Sequence, residues 1–402
     1  MAMIRTAAGS VLMRPSPTAM VWHEPGRPHA AIAVPGLELR RHEVLVEVEL
    51  ATICGSDVHT VLGHRRSPAP TVLGHEQVGR VVAFGDGGAN AVDGTPLALG
   101  DRVVWSVTAS CGRCERCRRG LTQKCVELRK YGHERLERGW ELSGGFATHV
   151  HLLDGTAIVR VPEHVAAELA APAACSTATA VAAVEAATAG LGSTDPARLD
   201  GTVVLVGGAG MIGLAVTALA SRAGAEVVVV DPDPVRRDTA TRFGATAVLA
   251  PGAGKLSKRI AELGLPAPLV AIEASGAAPS VRALVEACAI GGVVVLVGSV
   301  SPGPAVELDP ERVVRGLLTI TGVHNYAARH LQLAVEFLAG SPGAFADDHL
   351  VGARYPLDEL DAALEAAASG RHVRVAVVPE RHDAPHPRHE LAAVGAAEGT
   401  DA

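Results

Sequence analysis

Two hydrophobic rhythms divide this chain. In its first third, short β-type runs at positions 19–22, 43–50 and 78–83 alternate with turns of Gly, Pro and charged residues, and a run at 101–105 continues the pattern. Such alternation between turn formers predicts an irregular all-β domain. From Gly201 onward the apolar runs become continuous, at 202–206, 226–230, 246–249, 269–272, 292–297 and 318–321, with helical stretches between them. Continuous apolar strands separated by helices predict an α/β region, a doubly wound parallel sheet covered on both faces. Between the two regions the sequence predicts a strand pair, 147–152 and 158–161, and then an Ala-rich helix over 166–189 that contains Cys175. Beyond Gly322 come helices at 327–338 and 357–369 and a strand at 373–378. Residues 381–402, rich in His, Pro, Ala and Glu without periodicity, are expected to be disordered.

The polar residues that interrupt these patterns gather in three places. The first spans 51–77, where Cys54, Ser56, Asp57 and His59 are followed, after an Arg/Pro/His loop at 63–70, by His75 and Glu76. A thiolate and an imidazole joined by a loop of that length can meet at one metal ion at modest entropic cost. The surrounding Ser, Asp, His and Glu are expensive to bury without a function. The second is Cys111, Cys114, Cys117 and Cys125 in a hydrophilic stretch. Four thiols so spaced predict a closed tetrahedral zinc site that staples a lobe lacking its own core and does no chemistry. The cysteine run of iron–sulfur proteins is spaced differently.

The third is Gly208, Gly210 and Gly213, which follow a β-run, open a helix and precede Asp231 at the end of the next strand. That context fits a dinucleotide cradle: the glycines permit a tight turn and close backbone approach, and the helix N-terminus faces a pyrophosphate. A carboxylate at Asp231 accepts hydrogen bonds from ribose hydroxyls and repels a 2′-phosphate, so NAD is favoured over NADP, although Arg222, Arg236 and Arg237 lie near enough in sequence to greet a phosphate.

Composition narrows the setting. The 402 residues exceed one ordinary core, so two domains are expected. The net charge of −7, with basic residues clustered only at 113–119, argues against nucleic acid or a membrane surface. Residues 1–18 carry Arg5 and Arg14 but no apolar core of signal-peptide length, and no apolar run is long enough to span a bilayer. A cytoplasmic location follows as an expectation, and there seven cysteines point to metal or reactivity before disulfides.

Taken in order, the Cys-Gly-Ser-Asp-Val-His segment at 54–59, the Gly-His-Glu at 74–76, the four-cysteine lobe, the later Cys175 and the glycine-rich sheet resemble the zinc-dependent alcohol dehydrogenases of the medium-chain dehydrogenase/reductase family. The resemblance covers about 19–379. It implies a GroES-like catalytic domain over 19–176, with the structural zinc lobe at 111–125, a Rossmann domain over 177–322 and a return to the catalytic domain over 323–380, leaving 1–18 as an extension. Read alone, Cys175 is a compact buried residue; the resemblance makes it the third ligand of a catalytic zinc with Cys54 and His75, so that two zincs bind per chain. It further implies that Ser56 takes the alcohol proton and passes it through the cofactor ribose to His59, that Asp57 orients the zinc-bound imidazole, and that Glu76 lies behind the metal. The lesser alternative for His59 is an exposed loop histidine. Cys288 is left as a buried residue of a Rossmann helix.

Where many members place Arg or His after the first ligand, this chain has Gly55, so Arg374 is the expected pyrophosphate contact. Trp105, Val107 and Trp140 are the expected walls of the substrate pocket. The entry and exit of the lobe look like the subgroup labelled phosphonate-catabolism-associated alcohol dehydrogenases, and cyclitol and polyol dehydrogenases are also similar. The expected partner is a small alcohol or carbonyl compound, and the expected assembly a homodimer or homotetramer. Two other readings stay open: a zinc-free NAD(P)H reductase of the same superfamily, and a non-catalytic nucleotide-sensing zinc protein.

Overall fold

The computed structural model describes residues 2–5, 10–252, 254–340 and 350–379. The tail expected to be disordered lies outside them.

The β-rich domain is built on an eight-stranded sheet whose centre is the strand Val44–Thr52. It pairs antiparallel with Glu76–Phe84 on one side and with Arg374–Val378 on the other, so the last strand of the described chain closes onto one of the first. This pairing sets Thr52 opposite Glu76 and Ala376 opposite Thr52, which brings three distant segments to one end of the sheet.

The second domain is a six-stranded parallel sheet in the order Ala247–Leu249, Glu226–Val230, Val203–Gly207, Val270–Glu273, Val293–Leu296, Thr319–Gly322. The strand order reverses at Val203–Gly207, and the crevice at the carboxyl end of such a reversal is where open α/β sheets bind ligands. The central strands are buried on both faces, as their unbroken Val, Leu and Ile runs require. The helix Ser176–Gly190 packs on this sheet at Val293–Leu296 and Val270–Glu273, and against Met211–Arg222 and Ala328–Ala339.

Two expectations need correction. Of the expected extension over 1–18, the described residues from Ser10 belong to the β-rich domain: Ser10–Arg14 pairs with Gly36–Glu38, and Val11 and Met13 are buried with Val34, Leu37 and Leu39. The inward Val11 and Met13 alternate with outward Leu12 and Arg14, a period-two signal that the sequence carries. The helix expected over 166–189 is broken into Ala167–Ala170, a 3₁₀ turn Ala171–Ala174 and Ser176–Gly190. Pro172 removes an N–H and crowds the preceding turn, so the ladder cannot run through. Cys175 therefore stands at the break rather than within a helix, with φ −129° and ψ −71°, and its thiol is freed from the helix surface.

Candidate active site and metal centres

The strand Val44–Thr52 ends at Ile53, and Cys54 immediately precedes the helix Gly55–Val61. One buried carboxylate fixes this corner. Asp57 accepts from the Cys54 N–H at 3.0 Å and from the Gly74 N–H at 3.4 Å, and its Oδ1 lies 3.4 Å from His75 Nδ1. With Nδ1 turned to Asp57 as its N–H, His75 keeps the Nε2 lone pair for a metal. Gly74 adopts φ +92°, and a Cβ there would meet the backbone N of Phe146 at 2.8 Å, so only glycine lets the chain turn into His75.

Cys175 joins this corner from the helix break. The sulfurs of Cys54 and Cys175, a ring nitrogen of His75 and a carboxylate oxygen of Glu76 all lie within 4.8 Å of one another. Donors on a tetrahedral zinc stand roughly 3.5–3.8 Å apart, so the three S/N donors fit the ion with small adjustments. A hydrogen bond from Cys175 holds the Cys54 thiol well below its ordinary range, and the same pairing pushes Cys175 up: the two sulfurs share a proton that a cation would displace.

Glu76 is committed elsewhere. It is fully buried and receives Arg374 Nε and Nη2, each at 2.8 Å, the Thr52 hydroxyl at 2.7 Å and the Ser176 hydroxyl at 3.2 Å. Arg374 also donates to Ser176 Oγ at 2.8 Å and to the Val373 carbonyl at 3.1 Å. The guanidinium expected on a pyrophosphate is thus neutralised by Glu76, although it lines the same groove as the glycine turn.

That groove, about 220 Å³, runs between Ile53, Gly55 and Val58 on one domain and Ala209, Gly210 and Met211 on the other, and is also lined by Arg236 and His372 to Val375. Gly208 takes φ +98°, and a Cβ at Gly213 would sit 1.8 Å from the Gly208 carbonyl oxygen. Nothing lies within 4 Å of a Cβ at Gly210, the cap of the helix Met211–Arg222, so the backbone there is open to a phosphate. Asp231 lies at the same turn: its oxygens accept from the Ala209 N–H at 2.7 Å and the Asp233 N–H at 2.9 Å.

Of the relay residues, Ser56 Oγ lies 3.4 Å from His75 Nε2, and His59 is exposed on the last turn of its helix, its ring 5.8 Å from that of His64. The expected pocket walls are not walls. Trp105 is buried in the core of the β domain, and Trp140 packs edge-on to Tyr131 and donates Nε1 to the His151 carbonyl at 3.0 Å. Val107 is also buried, its N–H on the Tyr326 hydroxyl at 3.3 Å. The strand Arg102–Ala109 is covered on both faces, which its apolar run could have foretold.

In the lobe, the four sulfurs of Cys111, Cys114, Cys117 and Cys125 again lie within 4.8 Å of one another. Backbone N–H groups aim at them: Cys111 N and Glu127 N reach Cys125 Sγ at 3.3 Å each, and Cys117 N reaches Cys114 Sγ at 3.5 Å. N–H donors from Val126 and Cys117 lower the Cys114 thiol to about 6, so a thiolate stands ready for a metal. Cys288 is buried beside the parallel sheet, apart from both clusters.

The reading from residues gave no role at the first cluster to several groups, although Lys130 and His133 mark the exit of the lobe. The His133 ring lies 4.7 Å from that of His75, tilted by 56°, Tyr326 donates its hydroxyl to the Ala174 carbonyl beside Cys175, and Arg65, Lys124, Lys130 and His324 gather nearby. Arg65 was visible as part of the Arg/Pro/His loop; the others carry no spacing that marks them.

Two family models match the chain: the alcohol dehydrogenase GroES-like domain over residues 40–163 and the zinc-binding dehydrogenase domain over 212–340. A 5-exo-hydroxycamphor dehydrogenase from Pseudomonas putida is 30% identical over 336 residues, 82% of this chain and 90% of the relative. Among solved structures, an alcohol dehydrogenase from Thermotoga maritima superposes with a TM-score of 0.81 at 27% identity, covering 91% of this chain and all of the other. A zinc-binding dehydrogenase from Sinorhizobium meliloti bound to NADP gives 0.76 at 28% identity, covering 90% and 99%. The chain belongs to the zinc-binding alcohol dehydrogenases of the medium-chain dehydrogenase/reductase family, as its two domains and cysteine clusters indicate. Among the described residues no single helix is long and apolar enough to cross a membrane.

Proposed function

We propose that this enzyme is a zinc-dependent, NAD(H)-linked dehydrogenase that interconverts an alcohol, of secondary, polyol or cyclitol type, and its carbonyl compound. One observation carries the reading: Cys54, His75 and Cys175 converge within 4.8 Å while the neighbouring carboxylate is neutralised by Arg374. Three donors leave one place open on a tetrahedral zinc, whereas the four sulfurs of the lobe leave none. Zinc at the first site would act as a Lewis acid toward the substrate oxygen, and the nicotinamide would carry the hydride.

The chain's own groups do the rest. Asp57 holds the imidazole and the Cys54 backbone in one arrangement, so the donors meet without reorganisation. The Ser56 hydroxyl, beside His75 Nε2, takes the alcohol proton, and the exposed His59 returns it to solvent. The glycine turn holds the pyrophosphate and Asp231 the adenosine ribose.

Metal analysis of the purified chain tests the first claim. Two zincs per chain are expected; one alone would favour a zinc-free reductase. A panel of secondary alcohols, polyols and cyclitols, followed at the nicotinamide absorbance, is expected to reduce NAD. Tight NAD binding with no reduction by any of them would favour a nucleotide sensor.

Asp231 decides the nucleotide. Asp231→Ala removes charge-assisted bonds worth roughly 1.5–3 kcal/mol, so the NAD dissociation constant should rise about ten- to a hundredfold, read by fluorescence titration. Unchanged affinity, or a wild-type preference for NADP, overturns the assignment. Of the nearby arginines, Arg237 is held by the Asp231 and Pro232 carbonyls and Arg222 by the Gly340 carbonyl. Arg236 lines the groove, 3.9 Å from Asp233 Oδ2 and donating to the Gly370 carbonyl at 3.4 Å, and is the arginine of the three that a 2′-phosphate would meet.

A further inference from the structure

The strand Arg129–Lys130 leads out of the lobe beside the first metal cluster, and Lys130 is half-buried. Its ammonium has no carboxylate partner among the described residues, and neither does that of Lys124 nor the guanidinium of Arg65. Lys124 Nζ instead meets His324 Nδ1 at 2.8 Å, across the gap between the lobe and the parallel-sheet domain. The carboxylates of this region are taken: Glu134 by Arg129 and the Lys130 N–H, Glu137 by Arg129, and Glu127 by Arg113. Three residues beyond Lys130, the His133 ring lies 4.7 Å from that of His75, so the cationic group adjoins the reaction centre.

These charges act on one another. Burial lowers Lys130, and the neighbouring Arg65 and Lys124 repel it further. Burial and the same three cations push His324 down to about 4, so its neutral ring accepts the Lys124 proton. Like charges gathered in a partly desolvated place are costly unless an anion joins them. The NAD phosphates are not that anion, because none of these residues lines the groove at the glycine turn.

We infer that the substrate carries an anionic group, a carboxylate, phosphate or phosphonate, held by Lys130 and Arg65 with Lys124 at the rim while the alcohol carbon faces the metal cluster. This rests on the dehydrogenase reading and narrows its substrate class.

Two measurements on the zinc-loaded, NAD-saturated full chain test it. In calorimetric titration, inorganic phosphate and acetate should bind the wild type, and Lys130→Met and Arg65→Gln should each weaken them about ten- to a hundredfold. In kinetics, alcohols of matched length with and without a terminal carboxylate or phosphonate should differ at least tenfold in kcat/KM, mainly through KM. Lys130→Met should collapse that ratio, and the two anion series identify which group is preferred. Binding that is equal in wild type and both variants, that appears only without NAD, or neutral alcohols used as well as anionic ones would overturn the inference. Should no alcohol of either kind be oxidised, the dehydrogenase reading fails, and the calorimetry still judges the anion site.

Discussion

Cys54→Ser is expected to lower kcat/KM at least about a thousandfold while leaving the folded chain as stable as the wild type. The Lewis-acid contribution of such a centre is several kcal/mol of transition-state stabilisation, and roughly 4 kcal/mol is a thousandfold in rate. Folding should survive because the corner does not depend on the sulfur: the Cys54 backbone is held by Asp57, and the flanking strand is buried within the sheet. Cys114→Ser should do the reverse. That residue caps the short helix Glu115–Arg118 and supplies one of four sulfurs to a lobe whose surface is largely charged and exposed. Metal binding is what folds such a segment, so its loss should appear as a lowered melting temperature and one zinc fewer, with turnover of the surviving fold less affected. The pair is read by kinetics, thermal denaturation and metal content on the same preparations. Equal losses of stability in both would mean that the two clusters do not divide chemistry from structure.

The sequence made the architecture legible wherever one local pattern determined one element. Glu226–Val230 falls where its apolar run placed it, and the glycine turn follows its strand because only glycines satisfy Gly208 at positive φ and the close packing of Gly213. The four-cysteine lobe was legible for the same reason, its ligands lying within fifteen positions. What was not legible depended on distance. Cys175 lies a hundred positions after His75, and nothing in an Ala-rich run marks it as more than a compact core residue until Pro172 breaks the helix and turns it toward Cys54. Trp105 and Trp140 were mistaken for pocket walls because a large aromatic ring looks the same in sequence whether it lines a cleft or fills a core. Lys130, Arg65 and His324 converge only through the tertiary fold.

Arg374→Met should be the most destabilising of the substitutions considered, by roughly 3–5 kcal/mol, because it leaves the fully buried Glu76 carboxylate without its countercharge. The loss should be read by denaturant titration; the Thr52 and Ser176 hydroxyls also donate to Glu76. Gln at position 76 carries no charge and keeps one carbonyl oxygen to accept from a hydroxyl, while the other hydroxyl turns to accept from its amide N–H, so Glu76→Gln combined with Arg374→Met should recover more than half of the stability. The single variant should also lose activity by at least about tenfold. Glu76 already lies within the 4.8 Å cluster of Cys54, His75 and Cys175, and released from Arg374 it becomes a fourth donor that closes the open place on the metal. Cobalt substituted for zinc reports this directly, since the visible spectrum of Arg374→Met should change on loss of the arginine and return toward that of the wild type in the double variant. If Arg374→Met were as stable and as active as the wild type, the Glu76–Arg374 pair would be a bystander. The division between three metal donors and one neutralised carboxylate would then have to be abandoned.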